Sequence, residues 1–296
     1  MAFAIHFPPS RCTTLALALL PVAIPAVYLL YLSRVVSKNT QSSSGCRIPR
    51  KTQPSSSATP SSSSESTTPW NPVTLPEDVR ADDSQWILAY ERVVSHPIPT
   101  SSLSVAVPFT TTNPPATPAT ASTATPADPP DDLLRDYSRA TQAAFSWTPQ
   151  ALLIRSSIRE PHVRRTFDAD WIANRAFAPG DLVNGVYRVA YRGPGRDPSA
   201  SDRVELVLEA PPSYRGPVPR ALIVSEVVEA SASPPRDEAS DEQQVVFVNE
   251  TWMWRRQNEK PVLIETPAGK WLHTLLAGWL VTKGVQAVVG DRRTSQ

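Results

Sequence analysis

The sequence predicts an α+β fold: an antiparallel sheet with two to three helices before it and a long helix packed on it at the C-terminal end, preceded by a transmembrane helix and a disordered tether. Three observations carry this prediction. Residues 13–33 form an uncharged apolar run. A Ser/Thr/Pro-rich tract follows. From Asp131 onward, apolar residues recur at helical spacing, then in alternation, then at helical spacing again. The chain divides into a tail (1–12), an anchor (13–33), a tether (34–80) and an α+β domain (81–296) with a low-complexity insert at about 108–130.

The anchor reads TTLALALLPVAIPAVYLLYLS and is bounded by Arg11 and Arg34. About 20 apolar residues are needed to cross a bilayer, and this run just suffices. Pro21 and Pro25 are costly in a soluble helix but tolerated as kinks in a membrane. Tyr28 and Tyr31 fall near one end, where interfacial aromatics collect. The rival reading is a cleaved signal peptide, whose apolar region of about 7–15 residues is shorter. Arg34, Lys38, Arg47, Arg50 and Lys51 follow the span before any acid, which predicts a cytosolic C-terminal domain without specifying which membrane holds the anchor. Cys12 and Cys46, the two cysteines, flank the span and are candidates for palmitoylation.

The tether, rich in Ser, Thr and Pro, lacks the apolar surface that offsets the entropy of ordering. With the opposite topology it reads instead as an O-glycosylated stalk. Trp86 to Val94 (WILAYERVV) interrupts this composition as one short strand or helix. A second low-complexity tract, Thr110 to Pro130, follows as a loop or linker.

Asp131-Asp132 opens a helix, LLRDYSRATQAAF, with Leu133, Leu134, Tyr137, Thr141, Ala144 and Phe145 on one face. Thr148-Pro149 opens a second, PQALLIRSSI, and Val163 to Phe177 a third helical stretch. The period then becomes two. Val183, Tyr187, Val189 and Tyr191 share a face in the first strand. Val204, Leu206 and Leu208 point inward in the second, with Glu205 and Glu209 outward. Ala221 to Val228 and Val245 to Arg256 are the third and fourth strands. In the closing helix, Ala268 to Val289, the expected apolar stripe is Trp271, Leu272, Leu275, Leu276, Trp279 and Leu280. Lys270, His273 and Lys283 argue against a second span.

A net charge of +1 offers no concentrated basic surface, so no nucleic-acid partner is expected. Walker, G-x-S-x-G, H-E-x-x-H and G-x-G-x-x-G motifs are absent, and no cofactor is expected. His6, His96, His162 and His273 are not paired at ligand spacing, so no metal site is expected. The segment VVFVNETWMWRR stands out. Alternation sends Val246, Val248, Glu250, Trp252, Trp254 and Arg256 to one face, placing Glu250 among apolar neighbours. A buried carboxylate is expensive unless paired or protonated, and such groups serve as acids or bases. Glu250 and His273 are therefore the candidate catalytic residues, and Tyr187, Trp252, Trp254 and Arg256 the candidate ligand-binding ones. The plainer reading pairs Glu250 with Arg188 or Arg256, packs the tryptophans as core and leaves His273 on the surface. The sequon Asn249-Glu250-Thr251 reads as chance.

The segments AAFSWTPQALLIR, RRTFD, GDLVNGVYRV, VVFVNETWMWRR and GKWLHTLLAGWLVTKGVQAV resemble an uncharacterised family of filamentous-fungal single-pass membrane proteins over about half the chain. That resemblance implies no activity. Strands followed by WLHTLLAGWLVTKG are also distantly similar to START-like helix-grip domains, which implies an apolar cavity between helix and sheet. Three functions are then expected to compete. One is binding of a lipid or apolar metabolite in a sheet–helix cavity. The others are a cyclase-, isomerase- or hydrolase-type enzyme using Glu250, and an interaction or scaffold protein.

Overall fold

The alternating runs become strands. The computed structural model describes residues 27–47, 72–81, 85–105, 132–216, 219–230 and 242–290. Among these, eight strands form one antiparallel sheet: β1 (Thr40–Arg47), β2 (Trp86–Ser95), β3 (Ile98–Pro99), β4 (Leu182–Val183), β5 (Tyr187–Pro194), β6 (Ser201–Leu208), β7 (Arg220–Ala230) and β8 (Gln244–Arg256). The order across the sheet is β1-β2-β8-β7-β6-β5-β4, with β3 also pairing with β8. The last strand in sequence is thus central in space, between β2 and β7.

The helices are α1 (residues 27–39), α2 (Glu77–Ala81), α3 (Leu133–Phe145), α4 (Pro149–Ser157), α5 (Pro161–Arg164), α6 (Ala169–Ala173) and α7 (Pro267–Val288). The expected starts hold for physical reasons. The Asp132 side chain accepts from Arg135 N at 3.0 Å, capping α3. Thr148 caps α4 ahead of Pro149, and Thr266 caps α7 ahead of Pro267. The third helical stretch is broken into α5, a 3-10 turn (Arg165–Phe167) and α6.

Each face of the sheet has its own core. The inner face meets α3 through Tyr137 and Phe145, which pack with Phe247, Val204 and Leu206. The outer face carries Leu88, Leu222, Val224, Trp252 and Trp254, covered by Leu75 and Val79.

Several expectations are corrected. The tether was predicted to run unstructured through residues 34–80. Instead β1 pairs with β2 over eight residues, and residues 72–81 cover the outer face. Strand pairing is a backbone property, so the polar TQSSSGCR segment serves as an edge strand without an apolar pattern. Cys46 consequently lies within the fold, exposed on β1. The helices do not all lie on one side, since α2 sits on the outer face. A bulge between Val189 and Tyr191 shifts the register, so Tyr191 stands opposite Glu205, an outer-face residue, and leaves its expected neighbours. Glu205, expected to point outward, does so but is fully buried.

The closing helix also differs from its expected stripe. Trp271 and Leu272 are exposed, at 52% and 51%. The buried positions include Gly269, Gly278 and Gly284. A side chain at Gly284 would collide with Tyr137 of α3, and one at Gly278 with Val36 of α1. The helix has apolar residues on more than one face and packs through Gly278 and Gly284 as well as Leu275, Val281 and Val288, which an argument from one stripe of large side chains misplaces.

Of the expected anchor, residues 13–26 lie outside the described residues, as do the central tether and the insert at 108–130. Residues 27–33 belong to α1, where Val27, Tyr28, Leu30 and Tyr31 are exposed. No described helix is long and apolar enough to cross a membrane.

Candidate functional site

Because β8 is central, its alternation divides the predicted site residues between the two faces. Glu250, Trp252 and Trp254 point outward and are buried. Arg92 on β2 and Val224 on β7 flank Glu250 in register. Trp252 Nε1 donates to Glu250 Oε2 at 2.9 Å, and Arg92 Nε lies 3.6 Å from Oε1. The expected arginine partners are used elsewhere: Arg188 pairs with Glu209, and Arg256 lies over the Trp86 ring at 5.4 Å. Burial pushes the Glu250 carboxyl above the ordinary glutamate range. The Trp252 bond and the nearby Arg92 and Arg203 charges partly offset this, and Glu226 adds to it.

Beside Glu250 lies a buried ion network. Arg203 reaches Glu205 at 3.2 Å and Glu226 at 2.9 Å. Glu205 also accepts from the backbone N–H groups of Val73 and Thr74, both at 2.8 Å, and from the Thr74 hydroxyl at 2.6 Å. Those bonds fasten the covering segment to the sheet. Trp252 stacks on Tyr90 with ring centroids 5.2 Å apart. The outer face is thus a closed layer of paired charges and packed aromatics.

Open volume lies on the other side. A cavity of about 600 Å³ is bounded by α4, strands β5 to β8, the 209–214 loop and the start of α7. Its walls are mostly apolar, among them Ile154, Tyr187, Leu208, Ile223 and Met253. A smaller adjoining cavity of about 50 Å³ extends toward α3 and shares Gln150, Tyr187, Ile223, Thr251 and His273. Glu250, Trp252, Trp254 and Arg256 line neither cavity. The sheet itself separates Glu250 from His273 and Tyr187, so these groups do not face one common space.

His273 is not a plain surface residue. It contributes to both cavities and lies 2.6 Å from Glu91 Oε2 through Nδ1. An ionised carboxylate only accepts, so Nδ1 carries a hydrogen and donates it to Glu91. Glu91 is 2% exposed and stands opposite Thr251 in the β2–β8 register. Tyr187 is buried, and burial pushes its hydroxyl up to about 12, so it remains a neutral donor. Sequence reasoning missed Glu91, although a signal was present. Alternation in WILAYERVV places it with Ile87, Ala89 and Val93, an otherwise apolar set.

Asn249 faces inward, accepting from Tyr137 Oη at 3.0 Å and Ser225 Oγ at 3.1 Å. Its buried amide leaves no room for a glycan in the folded domain, in line with a chance sequon. Among the described residues, no group of three or more His, Cys, Asp or Glu side chains is placed to hold a metal ion.

The fold and cavity define an α+β domain with a helix-roofed, mainly apolar chamber. Compared with protein-family models, curated proteins and solved structures, the chain matches none.

Proposed function

We propose that this chain is a membrane-tethered binding protein for a lipid or other apolar small molecule, held in the inner-face cavity. The observation that carries this is the cavity of about 600 Å³ between sheet and helices. Its volume falls within the range of small-molecule sites, roughly 300–1,000 Å³, and its lining has the usual character of apolar walls with a few polar groups. Leu153, Tyr214 and Leu263 line it while remaining partly exposed, so its mouth is apolar too. Trp271 and Leu272 are exposed on the first turns of α7, close to His273 in sequence. The apolar run at 13–33 and the basic residues after it support an anchor that would hold the domain beside a membrane on the cytosolic side, where apolar ligands are concentrated. The resemblances to filamentous-fungal membrane-anchored proteins and to START-like domains belong to the same proposal.

The test is mass spectrometry of molecules that co-purify with the full chain in lipid nanodiscs, compared with Ile223→Trp, which fills the cavity. Wild type should carry an apolar species that the variant lacks at an unchanged thermal midpoint. Identical profiles in two folded proteins would sink the reading.

A further inference from the structure

We propose that the inner-face cavity is a proton-transfer site for an apolar carbonyl compound, with His273 as general base, Glu91 as its positioning residue and Tyr187 as the donor to the carbonyl oxygen. This rests on the binding reading above and goes beyond it by naming a reaction and a substrate class.

The pair His273–Glu91 differs from the other buried ionic contacts of the domain. Glu205 has both oxygens satisfied, by Arg203, two backbone N–H groups and the Thr74 hydroxyl. Glu91 engages His273 through Oε2, while its buried Oε1 has no hydrogen-bond partner among the described residues. Burying a carboxylate against one histidine and no other donor is a poor way to stabilise a fold. It is an effective way to orient an imidazole. Nδ1–H is held by Glu91, so Nε2 is the ring nitrogen left without that bond, on a side chain that lines both cavities. Outer-face carboxylates are excluded from this role because the sheet lies between.

A base in an apolar chamber needs a partner for the negative charge it creates. Tyr187 lines the same two cavities, and its hydroxyl has no hydrogen-bond partner among the described residues. Burial keeps it protonated, as a donor must be. The step then balances without a co-reactant. The C–H bond beside the carbonyl breaks and its proton goes to Nε2. The electron pair forms the enolate double bond, and the carbonyl pair moves to oxygen, where Tyr187 donates a hydrogen bond. The proton on Nε2 swaps with solvent at the partly exposed ring, so delivery of a solvent-derived proton to the same carbon gives exchange, and delivery to the γ-carbon of a β,γ-enone gives isomerisation. Either regenerates the neutral imidazole.

The experiment incubates the full chain in nanodiscs with 2-decanone in D2O and follows loss of the α C–H signals by NMR. Exchange should exceed that of empty nanodiscs, and His273→Asn should lower it by about 10²–10⁴-fold. Tyr187→Phe should lower it as well, and Glu91→Gln should reduce kcat at unchanged KM. His273 is partly exposed, so His273→Asn carries the test even where Glu91→Gln does not fold. Displacement of a fluorescent apolar probe by 2-decanone is measured in parallel. Displacement without exchange above the blank overturns the catalytic proposal and leaves the binding reading standing. So does His273-dependent cleavage of p-nitrophenyl decanoate with no exchange of the ketone. Absence of displacement by 2-decanone and by every lipid offered overturns both.

Discussion

The two faces of the sheet handle buried charge in opposite ways. On the outer face Arg203 binds Glu205 and Glu226, Arg92 approaches Glu250, and residues 72–81 close over them. On the inner face Glu91 meets His273 behind the cavity wall, while Glu209, which also lines the cavity, is paired with Arg188 at the surface. The outer face has more buried charge, yet its predicted site residues line neither inner cavity. Paired charges under a lid organise structure. A lightly partnered charge beside a cavity is available for chemistry. Perturbed acidity alone does not separate the two cases, since Glu250 is shifted by burial while facing away from the chamber.

The hardest test of this contrast is Arg203→Met. It leaves Glu205 and Glu226 without their shared cation in a buried layer, and should cost about 3–5 kcal/mol, read from the urea midpoint. Ligand retention in the still-folded fraction would confirm that the faces are functionally separate, and a selective loss of ligand would break the division.

Glu250→Gln sharpens it through pH. The folded carboxyl titrates above its ordinary value of 4.5. Below that value both folded and unfolded states are protonated there, and the full contribution is present. As pH rises from about 4.5 through the raised folded value, the folded state holds more protons, so stability falls. The glutamine variant should flatten this stretch and be the more stable protein above it, in denaturation curves at successive pH values. A variant with the wild-type slope would show that Glu250 is not the source.

The smallest effect is expected at the mouth of the cavity. Leu153 is 72% exposed, so Leu153→Ser should change stability by no more than about 0.5 kcal/mol. It should nevertheless weaken uptake of an apolar probe from vesicles. Equal uptake would remove Leu153 from the entry route.

Much of the fold was legible. The strands β6, β7 and β8, the capped starts of α3, α4 and α7, and the two-sided character of β8 follow from local patterns, whereas the first expected strand, Leu182 to Arg192, is folded back at residues 184–186 into β4 and β5, with Val183 opposite Tyr187. The site was legible only in part. His273 and Tyr187 were named from sequence and both line the chamber, whereas Glu250, Trp252 and Trp254 share one face as expected but that face is the outer one, away from the chamber. Glu91 went unnoticed because its partner is 182 residues away. The stripe on α7 held at Leu275 and in part at Leu276, Trp279 and Leu280, but failed at Trp271 and Leu272, and it missed the glycines Gly278 and Gly284, which meet α1 and α3.

The sequence by itself determined which residues of each regular strand share a face, since successive side chains point to opposite sides of any strand. It also determined where the main helices start, since a capping side chain and a first-turn proline act over three or four residues. Only the tertiary structure decided which face is closed and which is hollow. That outcome depends on where remote segments come to rest: residues 72–81 over the tryptophans, and α4 and α7 standing off the sheet around His273. Such contacts join distant parts of the chain, and no local period records them.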